Sequence, residues 1–524
     1  MTMLKKVFTS LLALVMLLTL SAAVAEDNSL QAVLDKGTFI IGLDDSFPPM
    51  GYRDENNDIV GFDIDVARAV AEKLGVEFIA QPISWEAKEL ELSSGNIDCA
   101  WGGLRLDPEE KKFTVTDSYL QDDVVLVSRA STKFRSIGRL KDEKVLALDS
   151  LSTPPGKLSL GDRVEQVEAE VDAYLGTQGA LFTANCTAGF EIAYKYANLG
   201  PGDEVIVPAI TFIATMAYPL SVGAKLVFAD VDPRTLNMDP VDVARKITPR
   251  TKMIVPVHLG GYPVDMDPLM ALAREHGILV LEDAAHAFGA AYKGRKIGTI
   301  GDFTGFSLHE VKNCTSFGEG GILTTNIESF RSELKRARFL GLDFSRKIKH
   351  WLYDVTAIPG KFGPFVAGNC SVTELQAVGL SQQIKRYDKI LAERRAAAEY
   401  LTRRFSECDA ILPQQIGDDG TRPSFHMYLL QIDPAKAGGD VQTLRRKLEE
   451  KGVTNIPHFG PLYHFDILRT FGYDEAEIAA TCPVCEEVFA HRFTHLPVYG
   501  LTEEQLIYMA DAVLASIGEM QRGE

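Results

Sequence analysis

Lys312 stands at the centre of the stretch 303–321, between an apolar strand predicted over 301–306 and a glycine-rich turn at 318–321. A lysine held off the surface between such elements loses part of its hydration. Its pKa then falls, and the neutral amine can add to a carbonyl. Three other groups precede it. Asn185, Cys186, Thr187, Ala188 and Gly189 are small residues opening a long helix. Free N–H groups and the helix dipole make such a start an anion site, although an N-cap by Thr187 accounts for the same residues. Phe212 follows the apolar strand predicted at 203–208, and Asp283 follows the one at 278–281, in Glu282-Asp283-Ala284-Ala285-His286. Ligands collect at the carboxyl ends of strands in open α/β sheets, while an acid there can equally cap a helix.

In chain order these groups are an anion cradle, an aromatic face, a carboxylate and an amine. Pyridoxal 5'-phosphate asks for all four: N–H donors for its phosphate, a stacking surface for its ring, an acid to keep its pyridine nitrogen protonated, and an amine for its aldehyde.

The elements that must hold these groups are legible around them. Strands are predicted at 180–183, 203–208, 225–228, 252–257 and 278–281, separated by helical stretches, as a layered α/β sheet requires. Val164, Val167, Val171 and Tyr174 fall on one helical face that stops at Gly176, and 387–405 reads as a long helix leading to a smaller C-terminal domain. Near the start, strands at 38–43 and 76–80 flank a helix at 63–74 stopped by Gly75, a pattern that predicts a separate parallel, doubly wound sheet.

The chain has 524 residues, enough for about three domains, and a formal charge of −18. That excess of acid excludes a nucleic-acid-binding surface, which needs basic residues along a phosphate backbone. Lys5 and Lys6, an apolar run over 7–20 and Ala23-Val24-Ala25 before Glu26 predict an export signal over 1–25 that is cleaved after Ala25, leaving no stable membrane span. Seven scattered cysteines do not form a disulfide framework, and Cys482 and Cys485, although spaced as a redox or zinc pair, have no second pair to complete a metal site. No metal site is predicted.

Two resemblances follow. Phe47-Pro48-Pro49, Gly61-Phe62-Asp63-Ile64-Asp65, residues 95–98 and Asp117-Ser118-Tyr119 resemble the first lobe of the periplasmic amino-acid-binding proteins of ABC importers. The likeness spans 30–150 and departs from the family at Glu110, where an arginine for the ligand's carboxylate is expected; Arg105 is the nearest substitute. The second lobe begins at 144–148 but is cut off at 151–156, which implies a truncated, partial binding-protein-like α/β lobe.

From about Gly156 onward the chain resembles the DegT/DnrJ/EryC1/StrS aminotransferases, of fold-type I: a large α/β sheet domain, here 156–390, and a small C-terminal α+β domain, here 391–524. The resemblance implies pyridoxal 5'-phosphate as cofactor and transfer of an amino group, with glutamate as the expected donor, to the keto group of a nucleotide-linked sugar. Lys312 is then the amine that carries the cofactor and moves the proton, and Asp283 the partner of the pyridine nitrogen. His286 faces the phenolic oxygen, Phe212 stacks on the ring, and Thr187, Ala188 and Ser307 hold the phosphate. Asn369 reaches the cofactor phosphate of a second subunit, so a homodimer is implied. A sister branch that dehydrates sugars has histidine at the lysine position, and Lys312 argues against it. Segments 457–463 and 494–497 match the small domain, with His458 and His495 read as packing residues. Two departures stand out: Glu310, two residues from the lysine, is expected to raise its pKa, and the family's opening helix is missing before Gly156. The competing reading is an exported amino-acid receptor, incomplete, or a fusion without function. The leader points outward, whereas sugar nucleotides and glutamate are cytoplasmic, which leaves the compartment open.

Overall fold

The computed structural model describes residues 29–102, 159–342 and 355–524, apart from 48–49, 55–56, 85–86 and 458. The leader, Pro48 and Pro49, the turn with Arg105 and Glu110, residues 117–119, 144–148 and 151–156, and His458 lie outside these residues. The chain divides into two units, Met1–Ser131 and Thr132–Glu524.

In the first unit Thr38–Leu43 is the middle strand of a parallel sheet, with Glu77–Pro82 and Cys99–Ala100 on its two sides. The helix Phe62–Leu74 buries Ile64, Ala67 and Ala71 in one cluster with Ile41 and Leu43, as the i, i+3, i+7 spacing predicts. Gly75 ends it at φ 73°, a left-handed conformation that costs glycine nothing. Between the first strand and this helix, Ser46–Phe47, Gly51–Arg53 and Ile59–Val60 form a separate antiparallel sheet that the sequence reading does not include.

The second unit is built on a seven-stranded sheet: β1 (Ala180–Thr183), β2 (Glu204–Pro208), β3 (Lys225–Ala229), β4 (Thr251–Ile254), β5 (Leu279–Asp283), β6 (Phe303–Ser307) and β7 (Gly321–Thr325), in the order β1-β7-β6-β5-β4-β2-β3. All neighbours pair in parallel except β7, which runs antiparallel to both β6 and β1. Every residue of β2, β5 and β7 is buried, which is why β2 and β5 read as apolar runs rather than alternations.

Both faces are covered by helices. Val205, Val207 and Leu281 point into one core with Phe190 of α2 (Cys186–Tyr196) and Met216 of α3 (Ala214–Ser221). Ile206 and Val280, one residue along, point into the other with Val164 of α1 (Asp162–Leu175), Leu269 of α4 (Met266–His276) and Leu380 of α5 (Glu374–Phe405). This is the period-2 alternation of a strand serving two cores at once.

Helix α5 differs from its sequence reading. It was predicted from residue 387, but a capping box of Thr373 and Gln376 starts it at Glu374. Gly379 breaks the apolar pattern there, yet the helix needs it, because a Cβ would lie 2.6 Å from the Phe317 ring. The last half of α5 carries the small domain. Its antiparallel sheet is β8 (Ile411–Leu412), β9 (Tyr428–Ile432) and β10 (Phe493–Leu496), and its core adds α6 (Val441–Glu450) and α7 (Glu503–Arg522). His495 lies in β10 opposite Leu429. Among the described residues no helix is long and apolar enough to cross a membrane. Cys482 and Cys485 form no disulfide and are buried in the first core, and no metal-binding group of side chains occurs among the described residues.

Candidate active site

Asp283 is the last residue of β5 and only 4 % exposed. Oδ2 accepts the Thr215 hydroxyl at 2.7 Å, and Oδ1 accepts the Ala285 N–H at 3.1 Å. Thr211 Oγ lies 2.9 Å from Thr215 Oγ, which fixes the direction of the relay: with Thr215 donating to Asp283, Thr211 donates to Thr215. The acid therefore caps a turn, not a helix. Burial pushes its carboxyl above the usual range, while its two hydrogen bonds and the charge of Lys312 pull it back.

Beneath it a second network locks the strand end. Val264 N–H donates to His258 Nδ1 at 3.0 Å, so the ring hydrogen sits on Nε2 and donates to Glu282 Oε2 at 3.1 Å; neither side chain is exposed. The other Glu282 oxygen takes Gly301 N–H and Thr304 Oγ–H, both at 2.7 Å.

Lys312 lies in the segment between β6 and β7, and internal bonds hold that segment closed. Leu308 N–H donates to Gly320 O at 2.8 Å and Glu310 N–H to Gly318 O at 2.9 Å. Asn313 Nδ2 donates to Ser424 O at 3.0 Å, so its Oδ1 must accept from His426 Nδ1 at 2.8 Å. Burial lowers the Lys312 pKa, opposed by the charge of Asp283. The expected influence of Glu310 is absent: that side chain is exposed, and the carboxylate that acts on Lys312 is Asp283.

Strand β7 returns the chain to the start of α2. A Cβ on Gly321 would stand 2.4 Å from Asn185 C and Cys186 N, so glycine alone lets the strand abut the helix end. The cap of α2 is Asn185, not Thr187: its side chain accepts the Ala188 N–H at 2.9 Å. Ala188 thus has its N–H engaged, while Cys186 and Thr187 hold first-turn N–H groups that lack intrahelical acceptors. Thr187 is exposed at this end, and Ser307, the last residue of β6, pairs with Gly321 beside it.

His286 is 5 % exposed and its Nδ1 accepts Gly260 N–H at 3.3 Å, which puts its hydrogen on Nε2. Its ring stacks on His426 at 4.3 Å between centroids. Phe212 is 54 % exposed and touches Phe459, at 5.4 Å. Asn369 is exposed, with Oδ1 accepting Ser371 N–H at 3.0 Å, and the next residue, Cys370, accepts the Ala184 N–H through its carbonyl, also at 3.0 Å.

The structure thus brings Lys312 and Asp283 into one electrostatic field and sets Ser307 beside the start of α2. It adds two residues that the sequence did not single out, Thr215 and His258.

The family model for the DegT/DnrJ/EryC1/StrS aminotransferase family matches residues 141–514. The chain belongs to this family. The spore coat polysaccharide biosynthesis protein SpsC of Bacillus subtilis is 38 % identical over 375 residues, covering 70 % of this chain and 92 % of that protein. GDP-perosamine synthase of Caulobacter vibrioides is 32 % identical over 372 residues, 69 % of this chain and 91 % of its own. Among solved structures, the sugar aminotransferase CalS13 of Micromonospora echinospora superposes with a TM-score of 0.61 at 27 % identity, covering 71 % of this chain and 96 % of that one.

The protein is accordingly an aminotransferase that uses pyridoxal phosphate, with the large mixed sheet of fold-type I. Its own residues fit that cofactor. Asp283 has both oxygens anchored, Lys312 is half-buried with a lowered pKa, and the opening of α2 offers backbone N–H groups where Gly321 of β7 approaches without a side chain.

Proposed function

We propose that this aminotransferase moves an amino group from glutamate to the keto group of a nucleotide-linked sugar, in two half-reactions at one site. The observation that carries this reading is Asp283, anchored at the end of β5 by Thr215 and Ala285 within electrostatic reach of the half-buried Lys312, in a family whose relatives include GDP-perosamine synthase. When bound, the cofactor supplies an aldehyde for the amine and an electron-withdrawing ring. The rest is the work of the chain. Lys312 Nζ is the base that takes the proton from the donor's α-carbon and returns it, a role suited to an amine whose pKa burial has lowered. Asp283 holds a proton on the ring nitrogen, and Thr215 keeps its carboxylate aimed. His286, as the Nε2–H tautomer, donates to the phenolic oxygen. Phe212 stacks on the ring. The N–H groups at the start of α2, with Thr187, Ala188 and Ser307, hold the phosphate, and Asn369 reaches the site of a second copy in a homodimer.

In this reading residues 156–390 form the cofactor domain and 391–524 the small domain. Residues 30–150 form a truncated solute-binding lobe behind a cleaved leader, supported by the parallel strand–helix alternation at 38–100. The leader gives an outward address and the reactants a cytoplasmic one. Absorption spectroscopy of the purified protein tests the chemistry: glutamate converts the aldehyde band to the amine band if the reading holds, and an unchanged spectrum refutes it.

A further inference from the structure

A cavity of about 470 Å³ opens beside Lys312, within the size range of small-molecule sites. One wall is a stripe of α5, Gln383, Arg386, Ile390 and Arg394, spaced i, i+3, i+7, i+11 so that all four share a helix face. Counting the lining charges, Lys312, Arg386 and Arg394 face a single acid, Glu310. The two arginines differ in mobility. Arg394 is 5 % exposed, donates through Nη1 to the carbonyls of Phe425 (3.3 Å) and His426 (3.2 Å), and stands 4.4 Å from the Tyr499 ring centroid. Its Nε has no partner, so a buried donor beside the cavity is left over. Arg386 is exposed and bonds only weakly to Gln383 Oε1, at 3.4 Å, which leaves its Nη groups without a partner among the described residues.

We propose that this cavity is the subsite for the anionic group of the substrates, with Arg386 contacting that group and Arg394 setting the charge and shape of the wall. The inference rests on the aminotransferase reading above and narrows it. A guanidinium holds a planar oxyanion through two parallel N–H bonds, and it keeps its charge at any working pH. Both reactants carry such a group, a carboxylate on the amino donor and a diphosphate on the nucleotide. In a two-step transfer each occupies the space beside the lysine in turn.

The test uses the cofactor-loaded enzyme and its Arg386→Gln and Arg386→Lys variants. L-glutamate is titrated against loss of the aldehyde band, and inorganic pyrophosphate is titrated by calorimetry. Arg386→Gln raises the half-saturating concentration of at least one probe by about tenfold or more, as loss of a charge-assisted hydrogen bond requires, and Arg386→Lys recovers most of it. A shift for glutamate assigns the carboxylate; a shift for pyrophosphate alone assigns the diphosphate. If both values stay within about twofold of the parent while the aldehyde band is intact, the subsite is refuted and the aminotransferase reading stands. A parent enzyme with no aldehyde band refutes that reading, and this proposal with it.

Discussion

Asp283 is buried and Lys312 half-buried, and the charge of each opposes what burial does to the other. Burial lowers the Lys312 pKa from 10.5, and the Asp283 charge partly restores it. Two outcomes follow for cofactor addition to the cofactor-free protein, followed by absorbance against pH. The rate rises with pH and reaches half its maximum below pH 10.5, because the neutral amine is the reactive form. In Asp283→Asn this midpoint moves lower still, since the variant lacks the anion that favours the ammonium form; a midpoint that moves upward contradicts the coupling. The same variant lowers kcat by about a hundredfold or more, the scale of losing an electrostatic partner in a buried site. Thr215→Val, which removes the hydroxyl bonded to Asp283 and Thr211, lowers kcat by about tenfold and destabilises the fold by about 1–3 kcal/mol in chemical denaturation, because two buried polar groups lose a partner. At this scale the strand and turn signals of the sequence pointed to Lys312 and Asp283, and the family resemblance to His286. Thr215 and His258 were not legible: their part depends on contacts across the fold, and nothing in their neighbours along the chain marks them.

The elements repeat the lesson in another form. Strands β1, β2, β3, β5 and β6 were visible as apolar runs, since sheet residues buried on both faces leave a continuous signal. Strand β7 was read as part of a glycine turn, because Gly318, Gly320 and Gly321 mark a turn before they mark a strand edge. The start of α5 was missed for a related reason: the glycine that breaks its pattern serves a neighbour, Phe317. Gly321 is the sharpest case, with no room for a Cβ against Asn185 and Cys186. Gly321→Ala therefore pushes β7 off the opening of α2. The predicted result is a cofactor dissociation constant raised about tenfold or more, measured by dialysis and absorbance, alongside a destabilisation of roughly 1–3 kcal/mol in chemical denaturation. Unchanged cofactor retention would show that this end of α2 does not hold the phosphate.

At the scale of the whole molecule, a family of aminotransferases accounts for residues 141–514, and the first unit carries a separate small core around Ile41 and Ile64. The reading of Asn369 as a contact to a second copy makes its own prediction. The cofactor-loaded protein sediments as a dimer, and Asn369→Ala weakens cofactor retention without unfolding either unit; a monomer with full activity contradicts it. All of these expectations depend on Lys312 carrying the cofactor. Borohydride reduction of the loaded enzyme, followed by digestion and mass spectrometry, measures that directly: the account predicts a pyridoxyl adduct on the peptide containing Lys312 and its loss in Lys312→Arg, whereas an adduct on another lysine, or none, would contradict it.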